Sequence, residues 1–161
     1  MTDPDDEVDL LIDAWARRLP DVDLSALDVM SRLRRVALNL ARIRASAFAT
    51  AGLAAWEFDV LSALRRAEPP HQLSPAHLIQ LTSIGSAAMT NRLTNLADRG
   101  LIEREANPRD GRGVLVKPTA EGIARVDAAM VELVRREELE LSRVSGADRR
   151  ELVRVLRALM P

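Results

Sequence analysis

His71 and His77 are the only imidazoles in the chain, and it contains no cysteine. The two histidines stand six residues apart beside the Pro69-Pro70 break, which is not a helical metal-ligand spacing, so structural or solvated roles are expected for both. His77 could also touch a phosphate. Absent thiols exclude cysteine nucleophiles, disulfides and most structural zinc sites, and neither a glycine-rich phosphate loop nor a nucleophile elbow occurs. The expectation is therefore no enzyme, with catalytic residues, metal ligands and cofactors all none.

Hydrogen-bonding and cationic chemistry remain, in two places. Ser86, Ala87, Thr90, Asn91, Thr94 and Asn95 recur at helical spacing opposite the apolar Met89, Leu93 and Leu96. Short side chains let a helix lie deep in a DNA major groove, where Asn can pair with adenine and hydroxyls can bond bases or phosphates. A solvated polar face is the blander reading. Further on, Arg109 and Arg112 lie in the turn-rich stretch from Asn107 to Gly113. Arginine on a hairpin arm suits the negative potential of a narrow minor groove, although for Arg109 a simple surface turn is an equal reading.

The elements that would carry these residues follow from periodicity. Val8, Leu11, Ile12, Trp15 and Leu19 predict a helix over 5–19, stopped by Pro20. Ser25 with Asp28 resembles a capping box opening a long helix to about Thr50, and Gly52 closes it. Residues 54–66 form the next helix. Ser74-Pro75 opens a short helix to Leu81, a tight Thr82–Gly85 connection follows, and residues 86–99 form the helix with the polar face. After Gly100 the period changes: 101–106 and 114–116 read as two strands of a hairpin. Thr119 caps a long helix to about Leu141, and Ser145 with Asp148 caps the last, with Leu152, Val155, Leu156 and Leu159 as its stripe.

The expected fold class is mostly α with a small antiparallel β hairpin: a winged helix-turn-helix plus a helical dimerisation region. Residues 1–22 form an N-terminal extension helix, 23–53 and 119–161 the dimerisation helices, and 54–118 the DNA-binding domain. The terminal helices have wide apolar stripes and little core of their own, which predicts a homodimer.

The 161 residues can bury roughly two-thirds of their unfolded surface without a staple. Aromatics are only 2%, too few for stacking platforms on single-stranded nucleic acid. The acidic start MTDPDDEVDL is unlike a secretory signal, and no run of about 18 apolar residues exists to span a membrane. A soluble, cytoplasmic protein is expected. The net charge of −1 conceals an asymmetry: residues 1–31 carry two Arg against nine acids, and residues 32–66 seven Arg against two acids. That contrast predicts pairing between the segments within or between subunits, with two independently solvated faces as the equal alternative.

Several motifs fall in order: Ala55-Trp56-Glu57-Phe58-Asp59-Val60-Leu61, Leu73-Ser74-Pro75, Met89-Thr90-Asn91-Arg92-Leu93, Gly100-Leu101-Ile102-Glu103-Arg104, Asn107-Pro108-Arg109-Asp110-Gly111-Arg112 and Thr119-Ala120-Glu121-Gly122. Together they resemble the MarR family of transcriptional regulators over about residues 25–161. The resemblance implies a winged helix-turn-helix dimer on double-stranded DNA, with Asp110 fixing Arg112 in the wing. Gly111 replaces the family's usual Arg, and Thr94-Asn95 a common Asp-Arg pair, which predicts a shallower salt dependence or a distinct operator.

The added N-terminal helix and four residues resemble the urate-responsive branch of that family: Trp15, Asp59, Arg92 and Arg104. By that resemblance Trp15 and Arg92 contact a small anion, the anion displaces Asp59, and Arg104 relays the movement to the DNA-reading helix. Spacing is compatible: Arg92 lies at the edge of the buried face and needs a carboxylate or an anion, and Asp59, next to buried Phe58, should be paired. A structural ion pair of Asp59 with Arg92 or Arg104, and plain packing for Trp15, are the alternatives. The expected function is a repressor released from an inverted-repeat operator by a small anionic or aromatic ligand. The competing expectation is a ligand-independent dimeric DNA-binding protein.

Overall fold

In the computed structural model, α3 (Ala55–Arg66) is buried over most of its length. Phe58, Val60, Leu61, Ala63 and Leu64 are all buried, as befits a helix that is apolar on most sides. The structure describes residues 6–82, 84–108 and 113–160. The order is α1 (Glu7–Ala16), α2 (Ser25–Thr50), α3, α4 (Pro75–Leu81), α5 (Ser86–Asp98), β1 (Ile102–Ala106), β2 (Val114–Pro118), α6 (Ala120–Glu140), a 3-10 turn (Leu141–Arg143) and α7 (Gly146–Leu159). The fold is thus mostly helical with one antiparallel hairpin, as the sequence predicts. The chain divides into two compact units, residues 1–42 and 43–161, with α2 running through the boundary.

In the first unit α1 is shorter than the predicted 5–19. Asp6 caps it in a full capping box: Asp6 Oδ1 accepts from Val8 N at 2.7 Å, and Asp9 Oδ2 accepts from Asp6 N at 2.7 Å. The helix ends at Ala16, where the Trp15 carbonyl takes a tighter three-residue bond from Arg18 N ahead of Pro20. Of its predicted inward stripe only Val8 is buried; Leu11, Trp15 and Leu19 are exposed. The start of α2 also differs from expectation. Asp23 Oδ1 accepts from Ser25 N at 2.9 Å, while Asp28, the expected capping partner, is bound to Arg32. Arg32 additionally reaches Asp9 at 2.7 Å and Asp6 at 3.3 Å, and Arg35 pairs with Glu7. The acidic and basic segments therefore pair within one chain. These are exposed pairs, which solvent and salt screen, so they stabilise the fold little.

The second unit holds the hydrophobic core, drawn from the end of α2 through α6 and including Phe48, Leu61, Leu64, Leu78, Leu96, Leu101 and Val126. Phe48 and Phe58 stack with ring centroids 3.9 Å apart, fixing the end of α2 on the start of α3. Gly52, at φ +68°, makes the turn between them. In the hairpin, Ile102 faces Pro118, Arg104 faces Val116 and Ala106 faces Val114. Leu73, just before α4, bonds Val116 in both directions (3.0 and 2.9 Å), which ties the hairpin to the helix pair. Gly122 lets α6 approach β1: a Cβ there would lie 2.1 Å from the Leu101 carbonyl oxygen. No residue of α7 is buried.

Candidate nucleic-acid interface

Ser74 Oγ accepts from His77 N at 3.3 Å and Pro75 opens the first turn, so α4 starts where the sequence places it. Gly85 precedes α5, whose Met89, Leu93 and Leu96 are buried. This burial fixes the rotation of the helix. Ser86, Ala87, Thr90, Asn91, Thr94 and Asn95 are consequently all exposed along the opposite side. Gly100, at φ +68°, ends the helix and turns the chain into β1.

Thr94 is engaged in two directions. Its Oγ1 donates to Thr90 O at 3.1 Å and accepts from Arg104 Nη2 at 2.9 Å. The strand arginine thus holds the wing to the exposed side of α5. On the wing itself, Asn107 N donates to Gly113 O at 2.8 Å, closing the hairpin below its tip. Arg109 and Arg112, together with Asp110 and Gly111, lie outside the described residues.

Two carboxylates on β1 would repel phosphate if left alone, and the only lysine answers them. Lys117 Nζ pairs with Glu105 and, at 3.2 Å, with Glu103. The Lys117 hydrogen bond holds the Glu105 carboxyl below its ordinary range, helped by Gln72 Nε2 at 2.9 Å. The same two carboxylates, Glu105 first, raise the Lys117 ammonium.

The four residues singled out as ligand contacts are placed differently from one another. Trp15 is in the first unit, 46% exposed, beside Ala14 and Arg18 in an open recess of about 390 Å³. Arg92 is half-buried, and its guanidinium lies over the Trp56 ring, 5.3 Å from the centroid. The expected partner is a carboxylate or an anion; the contact found among the described residues is an aromatic face. Asp59 is exposed, so it needs no partner, and among the described residues no ion pair joins it to Arg92 or Arg104. The structure brings Arg104 to Thr94, and Arg92 to Trp56, which is one helical turn from Asp59 on the same face of α3.

Sequence reasoning missed one charged group in the core. Glu57 is 2% exposed, bonded to Ala54 N through Oε2 at 2.8 Å and paired with Arg99 through Oε1. Its position three residues after Ala54 was a legible capping signal, but alanine in place of Ser or Thr conceals the box. His71, at φ 60°, has Nδ1 2.6 Å from Ala67 O, a backbone-capping role.

A buried helix pair, an exposed polar face and a docked hairpin define a winged helix-turn-helix protein. The sequence profile of the MarR family matches residues 51–113. The HTH-type transcriptional regulator PecS of Dickeya dadantii is 32% identical over 146 residues, covering 91% of this chain and 88% of its own. The wild-type apo MarR structure from E. coli superposes with a TM-score of 0.69 at 25% identity, covering 87% of this chain and 98% of that one. BpsR of Bordetella bronchiseptica, solved to explain regulation of its DNA binding by 6-hydroxynicotinic acid, gives 0.67 at 27% identity, covering 81% and 91%. The chain belongs to the MarR family of transcriptional regulators. It is not an enzyme. Among the described residues no single helix is long and apolar enough to cross a membrane.

Proposed function

We propose that the protein is a homodimeric repressor that binds an inverted-repeat operator and is released from it by a small anionic or aromatic ligand. The observation that carries DNA binding is the run of six exposed short side chains on α5, held outward by the buried Met89, Leu93 and Leu96. In this reading Ser86, Ala87, Thr90, Asn91 and Asn95 face the major groove, Thr94 positions the wing beside them, and Arg109 and Arg112 enter the minor groove. Dimerisation is supported by α7, none of whose residues is fully buried, and by the exposed Leu152, Val155 and Leu159. Met130 and Val134 of α6 are exposed as well. Such a surface asks for a self-complementary partner. Helices 23–53 and 119–161 would supply it, setting two recognition helices about 34 Å apart, one turn of B-DNA.

Ligand sensing centres on Arg92. Among the described residues its contact is the Trp56 face rather than a carboxylate, which leaves the guanidinium available to an anion. A planar aromatic anion would satisfy both features, stacking near Trp56 and pairing with the guanidinium. The same anion would stand within about a helical turn, roughly 5 Å along α3, of Asp59 and repel it. Arg104, bonded to Thr94, offers the connection from that site to the reading helix. Trp15 is carried as a ligand contact by the resemblance to the urate-responsive branch alone. That BpsR answers to 6-hydroxynicotinic acid supports this ligand class.

The test is operator affinity with and without urate and 6-hydroxynicotinic acid. Substantial release requires a ligand preference of a few kcal/mol for the non-binding conformation. Wild type should be released by at least one of the two. Arg92→Ala should keep DNA affinity and lose release, and Asp59→Asn should bind the operator more weakly. Undiminished release in Arg92→Ala, with normal binding by Asp59→Asn, would remove these residues from sensing. No release of wild type by either compound would favour the ligand-independent dimer.

A further inference from the structure

A carboxylate as deeply buried as Glu57 is costly to maintain, and capping α3 does not require it: a solvent-exposed Glu would cap as well. The second oxygen explains the burial. Oε1 pairs with Arg99 Nη1, and Arg99 Nη2 donates to the Gly52 carbonyl at 2.7 Å. Arg99 is the residue that ends the recognition helix, Gly52 the turn that ends α2, and Ala54 and Glu57 the start of α3. One charged node therefore joins three chain segments that are as much as 47 residues apart. The residue after Arg99 is held from the other side. Thr119 Oγ1 donates to Gly100 O at 2.8 Å and, as the N-cap of α6, accepts from Gly122 N at 3.0 Å.

We infer that Glu57 and Arg99 are positioning residues, which fix the recognition helix to the end of α2 and so set the separation of the two reading helices in the dimer. This rests on the DNA-binding reading above and adds to it how the helix is aimed. The planar guanidinium offers a carboxylate and a carbonyl from two segments separate N–H groups in a fixed geometry, which a lysine ammonium on its flexible stem does not. With the node intact, the C-terminus of α5 cannot shift against the end of α2 without breaking the charge-assisted bond from Arg99 to the Gly52 carbonyl. Glu57 lies on α3, and Arg99 is the C-cap of α5 beyond the six short side chains, so each acts through the pose of the helix.

The consequence is a dependence on half-site spacing. Wild-type protein is first used to select duplexes from a random library, giving an inverted repeat of defined spacing. Duplexes with one base pair added or removed between half-sites are then compared for wild type, Arg99→Lys and Glu57→Gln. Arg99→Lys keeps the charge yet cannot span both acceptors, and Glu57→Gln keeps an acceptor for Ala54 N. Both variants should bind the selected spacing at least tenfold more weakly, about 1.4 kcal/mol. Their preference for it over the altered spacings should flatten, while affinity for random-sequence DNA and its salt slope stay at wild-type values. Should Glu57→Gln fail to fold, Arg99→Lys decides alone. Wild-type spacing preference in the folded variants would overturn the inference, reducing the pair to a structural salt bridge. Failure of the wild type to select any duplex would instead overturn the DNA-binding reading.

Discussion

Thr94→Val separates two roles for one hydroxyl. Valine is nearly isosteric with threonine and close to it in helix propensity, so α5 should be preserved. Two hydrogen bonds are lost. The one to Thr90 O, at 3.1 Å, is local back-bonding to a carbonyl within the helix, and its loss should be close to neutral. The one from Arg104, at 2.9 Å, has a charged donor and links α5 to the wing. At this exposed position, where water competes for the donor, it is worth about 1 kcal/mol, the ordinary net value of a hydrogen bond and below the range for charged groups. Since 1.4 kcal/mol is tenfold, binding should weaken about fivefold. Fluorescence anisotropy on a selected operator and on scrambled duplex, over a salt series, gives the readout. If the hydroxyl docks the wing, both DNAs lose affinity by a similar factor, the salt slope is unchanged, and Thr94→Ser restores wild-type behaviour. A loss confined to the operator and to one base pair would refute this, returning Thr94 to base reading.

Gly122→Ala should destabilise the fold by about 1–3 kcal/mol, because the new methyl meets the Leu101 backbone, which a rotamer change cannot relieve; an unchanged melting temperature would contradict the close α6–β1 approach. Glu132 is held at about 2, well below its ordinary 4.5, by hydrogen bonds first from Arg135 and then from Arg136. A depressed carboxyl stabilises the fold above its unfolded pKa, so the advantage of wild type over Glu132→Gln in thermal melts should be full above about pH 5. It should shrink as pH falls from 4.5 towards 2; a pH-independent difference would contradict the pairing. Deleting residues 1–22 removes α1 with Trp15, and the shortened chain should sediment as a dimer and bind operator while responding poorly to ligand. A monomer after truncation would make the extension part of the essential interface.

What was legible in the sequence was what repeats or caps. The buried Met89, Leu93 and Leu96 announce the rotation of α5, and with it the six exposed residues, through helical spacing alone. Ser74-Pro75 and Thr119 mark helix starts because their side chains bond backbone groups three residues away. Long-range pairing left no such trace. Arg92 lies over Trp56, and Arg99 reaches Glu57, across separations that no local period encodes. The expectation that Arg92 needs a carboxylate or an anion, and Asp59 a partner, assumes that both are desolvated. Exposure of Asp59 and the Trp56 ring beneath Arg92 each remove that need. At the start of α2, Ser25 and Asp28 fit a capping pattern, but Arg32 lies one turn along and takes the carboxylate, leaving Asp23 to cap. At α1, apolar spacing predicted an inward stripe of which a short two-helix unit can cover only Val8.

The central claim is a two-fold dimer reading an inverted repeat through α5. Sedimentation of the protein with a duplex selected from a random library, followed by footprinting of that duplex, tests it most directly. Two chains per duplex are predicted, with two protected half-sites centred about ten base pairs apart and lost affinity discrimination in Asn91→Ala, worth about 1–3 kcal/mol per contacted base. One chain per duplex, or protection without two-fold symmetry and with Asn91→Ala indistinguishable from wild type, would contradict it.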